Sequence, residues 1–296
     1  MLDERYRTLV ESRTRHPEAI AEAAARRVRP TSVFNEHGRL MMIAADHPAR
    51  GALRAGERAL AMADRVELLD RLCLALSRPG VNGVLGTPDV LEDLLLLGAL
   101  DDKVVVGSMN RGGLAGTVFE IDDRFTGYDA GALAAAGFEG GKMLLRIDPD
   151  DPATAATVEG CAQAVSALAE HRLIAMVEPF IAHRVDGRVR IDLTPEATIR
   201  AMTVAAGLGR TSAYTWLKVP VVEDMERVMA ATTLPAVLLG GEVSAAQDAA
   251  FESWRKALKL PTVQGLVIGR SLLYPPDDDV AAAVDTAVGL LQDGAG

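Results

Sequence analysis

Residues 40–53 read LMMIAADHPARGAL. The first seven, Leu40–Asp46, form a near-continuous apolar run, as expected of a parallel strand buried on both faces. The turn after it, DHPARGAL, is not the G-x-G-x-x-G that an open, doubly wound nucleotide-binding sheet carries after its first strand. Seven similar runs follow: Val81–Thr87, Lys103–Asn110, Lys142–Asp148, Leu173–Phe180, Tyr214–Val219, Pro235–Gly241 and Val263–Gly269. Between them lie helix-forming stretches such as ERALAMADRVELLDRLCLAL (57–76) and AATVEGCAQAVSALAEH (155–171). Alternating strands and helices predict a parallel sheet. Eight strands in about 230 residues fit a closed barrel better than an open sheet. The expected fold is α/β, a (β/α)8 TIM barrel over 40–296, with residues 1–39 as an N-terminal helical extension packed outside it. Segment Arg111–Thr126 exceeds an ordinary strand-to-helix loop and is expected to carry a lid or a short helix.

Composition narrows the function classes. The chain has 296 residues, 49% of them hydrophobic, which is ample for a sizeable core. A net charge of −10 argues against nucleic acid as a partner and requires any substrate anion to meet a local positive site. Cys73 and Cys161 show neither metal spacing nor a disulfide framework. The first twenty residues lack the apolar stretch of a secretory signal, and LEDLLLLGAL (91–100) is too short and too acidic to span a membrane. A cytoplasmic homo-oligomer without membrane contact, metal or cofactor is expected.

In a barrel the chemistry sits at the C-terminal ends of the strands. These ends carry Asp46 and His47, Thr87, Asn110 and Arg111, Arg146 and Asp148, Glu178, Lys218, Gly240 and Gly241, and Gly269 and Arg270. Lys218 stands out. Only five of the 31 basic residues are lysine, so arginine serves wherever charge alone is needed. A guanidinium stays protonated and cannot attack a carbonyl, whereas an amine whose pKa is lowered by burial can. The alternative is a lysine ion-paired across the barrel to a strand-end acid. Lys103 and Lys142 open their strands and are expected at the opposite end of the barrel, in stabilising roles. Asp46 and Glu178 would shuttle protons beside such an amine or simply form ion pairs with it. His47 is a candidate proton shuttle or substrate donor. Gly240 and Gly241, followed by Glu242-Val243-Ser244 opening a helix, form one half of an expected phosphate cradle. Gly269 and Arg270 form the other half. The alternative reading there is turn glycines, a helix cap at Ser244 and a surface arginine.

Three segments in this region carry a resemblance. YTWLKVPVVEDM (214–225), LPAVLLGGEVSAAQDAAFESWRKAL (234–258) and GLVIGRSLLYP (265–275) resemble the class I, Schiff-base aldolases of the DeoC/LacD group, typified by tagatose-1,6-bisphosphate aldolase and including sulfofructose-phosphate aldolase. IAADHPARGAL, KMLLRIDPD and VEPF extend the likeness. The resemblance implies that Lys218 is the imine-forming lysine and that a small phosphorylated ketose is cleaved, releasing dihydroxyacetone phosphate, without a cofactor. It also implies that Arg50 holds a second anion. Two departures stand out. Where relatives often carry tyrosine at the end of strand four, this chain has Arg146-Ile147-Asp148, and the glutamate of the family's K-V-E context is replaced by Pro220. Either Arg146 meets an anionic substrate group, as a keto-sugar acid of inositol breakdown would supply, or Asp148 takes up proton transfer.

Three alternatives remain beside this reading. A deoxyribose-phosphate aldolase would follow its lysine with Thr or Ser and glycine, not Val219-Pro220. A metal enzyme would need more ligands than His47 and His183. A non-catalytic sugar-phosphate-binding barrel would keep Gly240, Gly241 and Arg270 without needing Lys218.

Overall fold

Residue alternation along each strand decides what faces the barrel axis. In the computed structural model, which describes residues 4–241 and 247–293, strand β1 (Leu40–Ala44) sends Leu40, Met42 and Ala44 inward and Met41 and Ile43 outward. The same alternation runs through β2 (Gly83–Gly86), β3 (Val104–Ser108), β4 (Gly140–Ile147) and β5 (Ile174–Val185). After a short hairpin strand, β6 (Arg188–Asp192), it continues through β7 (Thr215–Val219), β8 (Ala236–Leu239) and β9 (Val263–Ile268). Leaving β6 aside, each strand pairs in parallel with its neighbours. The β1–β9 pairing closes the ring. All eight expected strands are present, and the fold is a (β/α)8 TIM barrel; β7, β8 and β9 are its sixth to eighth strands.

The inward residues Leu40, Met42, Ala44, Leu85, Val104, Val106, Ile174, Met176, Val237 and Val267 fill the barrel. The outward ones pack beneath helices α3 (Arg65–Ser77), α4 (Pro88–Leu96), α5 (Ala130–Ala135), α6 (Ala153–Glu170), α7 (Pro195–Ala206), α8 (Met225–Met229), α9 (Gln247–Ala257), α10 (Arg270–Leu273) and α11 (Val280–Asp293). Several helix starts are written in the sequence. Asp64 accepts from the Glu67 N–H at 3.0 Å and Asp129 from the Ala132 N–H at 2.7 Å, while Thr194 caps α7 just before Pro195. Each such cap contributes about 1 kcal/mol. Gly265 is obligatory in β9, where φ is +156° and a Cβ would run into the backbone of Leu40.

Ahead of β1, two helices, here numbered first in chain order, cover residues Glu4–Arg15 and Ala19–Arg26. Arg13 on the first of them pairs with Glu92 and Asp93 at 3.0 and 2.8 Å, tying it to α4. Val33 and Phe34 close the floor of the barrel against Trp216, with the Phe34 and Trp216 rings 6.0 Å apart.

The β5–β6 hairpin was not anticipated. Strand five runs on past Phe180 to Val185, turns through Asp186 and Gly187 (φ 51° and 74°), and returns as β6. Two consecutive positive φ values define the turn that matches strand twist in a hairpin, and Asp-Gly is its usual sequence. The signal was therefore present as V-D-G-R.

Candidate functional site

Strand alternation also builds the mouth of the barrel. Asp46 stands two residues beyond the inward Ala44, Ser108 two beyond Val106, Glu178 two beyond Met176, and Lys218 two beyond Trp216. All four, with Lys142 of β4, converge. Lys218 Nζ donates to Glu178 Oε1 at 2.6 Å, and Lys142 pairs closely with Glu178 Oε2. Lys142 also donates to Asp46 Oδ2 at 3.1 Å. That oxygen is shared with Ser108 Oγ at 3.4 Å and with the Arg111 guanidinium in close contact. The result is a continuous charged chain, Lys218–Glu178–Lys142–Asp46–Arg111, three cations and two carboxylates. Lys142 and Asp46 are 0% exposed and Lys218 3%, so the chain is out of solvent.

The ion pair that stood as the alternative reading for Lys218 therefore exists, and its partner is Glu178. The expectation for Lys142 is corrected. β4 begins at Gly140, so Lys142 is its third residue and faces inward. Barrel strands are tilted, so a residue low on one strand lies nearer the mouth than its position suggests, and the long lysine stem covers the remaining distance. Lys103 does lie at the opposite end, where Nζ donates to the Val81 carbonyl at 2.6 Å.

Burial sets the protonation states. It lowers the Lys218 ammonium, an effect that Glu178 opposes only in part. Lys142 is pushed well below its ordinary value by burial and by the nearby Arg111. For Glu178 burial works toward a higher value, but Lys142, Lys218 and Arg111 outweigh it and hold the carboxyl well below the usual range. Burial brings Arg111 down to about 10. His47 is driven well below the ordinary imidazole value by burial, with Arg270 and Lys218 adding to it, so the ring is neutral at pH 7. Its Nδ1 lies 3.7 Å from Asp46 Oδ1. Both atoms are buried and without a hydrogen-bond partner among the described residues, which leaves an acceptor and an imidazole nitrogen side by side at the mouth.

The phosphate candidates lie beside this chain at the mouth, since β8 pairs with β7 and β9 with β1. Gly240 follows β8 and Gly269 follows β9; a Cβ on Gly240 would press against Ile268 and Ser271. Ser271, absent from the residues picked out in the sequence, carries a buried Oγ without a partner among the described residues. No motif marks it, because a serine one residue into a short helix reads as an ordinary turn. Gly241 has φ +66° and is exposed. Arg270 donates to the Arg54 carbonyl at 3.2 Å. The expectations for Glu242, Val243 and Ser244 lie outside the described residues.

Arg146 points inward but is already occupied. Its Nε and Nη2 reach the two oxygens of Asp123 at 2.8 and 2.5 Å, and Nη2 also meets the Glu120 carbonyl. Arg146 is 2% exposed, and its guanidinium holds segment 111–126 down over the barrel. That segment is made of turns, with no helix among its described residues. Gly113 is needed there, since a Cβ would collide with Arg146 and Asp123. Arg50 is held more loosely, 3.6 Å from Glu120 Oε1 and 3.5 Å from the Gly113 carbonyl. Asn110 bonds the Leu144 N–H and carbonyl at 2.7 Å each, serving the sheet. Thr87 donates to Asp89 at 2.6 Å at the start of α4. Asp148 accepts from the Asp150 N–H at 3.1 Å and orders the following loop. Among the described residues, no three His, Cys, Asp or Glu side chains gather as metal ligands would, and no helix is long and apolar enough to cross a membrane.

Comparison with known proteins sets this geometry in context. The crystal structure of Cgl0159 from Corynebacterium glutamicum (Brevibacterium flavum) is 52% identical over 98% of both chains, with a TM-score of 0.95. An archaeal fructose 1,6-bisphosphate aldolase superposes with a TM-score of 0.65 at 16% identity, over 92% of this chain and 99% of its own. The fructose-bisphosphate aldolase from Slackia heliotrinireducens gives 0.60 at 19%, over 86% of this chain and 85% of its own. The two aldolase likenesses concern the fold. No curated protein matches. The Cgl0159-like family matches residues 38–288, and the chain belongs to that family.

Proposed function

We propose that the chain is a class I aldolase acting on a small phosphorylated ketose or keto-sugar acid. The observation that carries the reading is Lys218 Nζ, buried and 2.6 Å from a Glu178 carboxylate that a second buried lysine also holds. Three cations crowd two carboxylates, so one proton is held weakly and one amine is readily neutral. Neutral Lys218 attacks the ketose carbonyl; the new C–N bond forms as the carbonyl oxygen takes a proton from the Glu178–Lys142 pair. Loss of water leaves an iminium. Asp46 Oδ1, buried and without a hydrogen-bond partner among the described residues, removes the proton of the hydroxyl on the far side of the scissile bond. That oxygen becomes a carbonyl, the carbon–carbon bond breaks, and its electrons pass into an enamine on Lys218. Protonation and hydrolysis release dihydroxyacetone phosphate and restore the amine. Gly240, Gly241, Gly269 and Arg270, joined by Ser271, would bind the phosphate.

Arg146 gives little support to an acidic substrate, because its charge is matched by Asp123. Arg50, with its longer contacts, is the better candidate for a second anion. The narrower DeoC/LacD grouping rests on the motif resemblance.

Borohydride reduction in the presence of dihydroxyacetone phosphate, followed by peptide mass mapping, tests the reading. One reduced adduct on the YTWLK peptide is expected. An adduct on Lys142 or Lys103 instead, or no adduct at all, defeats the assignment to Lys218.

A further inference from the structure

The β5–β6 hairpin leaves one sheet edge open, since β6 pairs with β5 alone. The two-residue turn makes Val185 and Arg188 a hydrogen-bonded pair, and His183–Arg190 and Ile181–Asp192 repeat that bonding. The N–H and C=O groups of Val189 and Ile191 therefore point away from β5, and no loop or turn bond among the described residues takes them up. Exposed large apolar side chains gather around the hairpin. Val185 and Leu193 stand at its ends, and Val118, 88% exposed, is tied to it through its carbonyl, which accepts from Arg184 at 2.7 Å. Arg188 and Arg190 form no ion pair among the described residues.

The stretch Val189-Arg190-Ile191-Asp192-Leu193 is complementary to itself. We propose that this edge docks a second copy of the chain, β6 against the partner's β6, antiparallel about a two-fold axis through Ile191. Only a register that opposes outward-bonding residues to one another completes the ladder, and an axis through Ile191 does so. It sets Ile191 against its own copy and Val189 against Leu193, an apolar stripe on one face. On the other face it sets each Arg190 opposite an Asp192. An axis one residue earlier would oppose Arg190 to Arg190, and one through Val189 would oppose Arg188 to Arg190. Opposite charges across a strand pair stabilise and like charges destabilise, so charge selects the Ile191 axis. The same patch on both copies is what a two-fold interface requires.

Sedimentation velocity on the full chain tests this. The wild type is expected to be a dimer or a larger even-numbered assembly. Arg190→Asp places acid opposite acid and should weaken the two-fold contact by about ten- to a hundredfold. Arg190→Asp with Asp192→Arg restores opposite charges and should recover it. Ile191→Arg, which puts two cations on the axis, should halve the assembly while circular dichroism stays that of the wild type. A monomeric wild type, or assembly unchanged in both Arg190→Asp and Ile191→Arg, overturns the proposal.

Discussion

Lys142→Met is the sharpest probe of the charged chain in the barrel. Methionine keeps the unbranched stem and removes the charge. Two cations and two carboxylates remain, so the net charge of the buried group falls and the fold should survive. The loss of one partner at Glu178 Oε2 and Asp46 Oδ2 costs about 1–3 kcal/mol. The chemical effect should be larger. Lys142 and Lys218 contact the two oxygens of one carboxylate; two like charges a few ångströms apart at an effective dielectric of about 20 repel by about 3–4 kcal/mol. Removing it favours the protonated form of Lys218, and Glu178, freed from its second lysine, acts in the same direction. At roughly 1.4 kcal/mol per factor of ten, the neutral fraction of Lys218 at pH 7 should fall by about ten- to a hundredfold. The assay is the rate of borohydride-trapped adduct with dihydroxyacetone phosphate as a function of pH. The rate should drop at neutral pH and recover toward alkaline pH. A variant whose rate and pH profile both match the wild type would show that Lys142 does not tune Lys218.

Other expectations concern the surrounding residues. Arg146→Gln leaves buried Asp123 without its partner and should cost about 3–5 kcal/mol, with faster amide exchange confined to segment 111–126; an unchanged melting curve would refute the clamp. Arg270→Ala should weaken phosphorylated ligands by about 1.5–3 kcal/mol while sparing their unphosphorylated analogues, read by calorimetry; equal loss for both would mark Arg270 as structural. Glu178 is held well below 4.5, so its stabilising contribution is complete above that value and is lost as pH falls through its folded-state value. The two buried lysines act in the opposite range, since their folded values lie below 10.5 and stability from them rises as pH climbs toward it. Glu178→Gln should therefore flatten the acid limb of the stability curve measured by urea titration; an acid limb identical to the wild type would contradict this.

The barrel was legible because parallel strands buried on both faces must be apolar throughout, and all eight runs from Leu40 to Gly269 show it. Lys218, Glu178 and Asp46 could be picked out for the same reason, since a charged residue at the end of such a run is conspicuous. The β5–β6 hairpin was equally written in Asp186-Gly187, and only a reading that ended strand five at Phe180 passed over it. Other features had no local signature. Lys142 looked like the start of a strand, and its place beside Glu178 and Asp46 follows from strand tilt and register, which exist only once the barrel closes. Arg146 looked like a cation awaiting a ligand. Its pairing with Asp123, 23 residues earlier, depends on how segment 111–126 folds back over the mouth. Local pattern determined which residues are costly to bury. Tertiary closure decided which of them meet, because a contact between distant strands depends on a geometry that neither strand specifies alone.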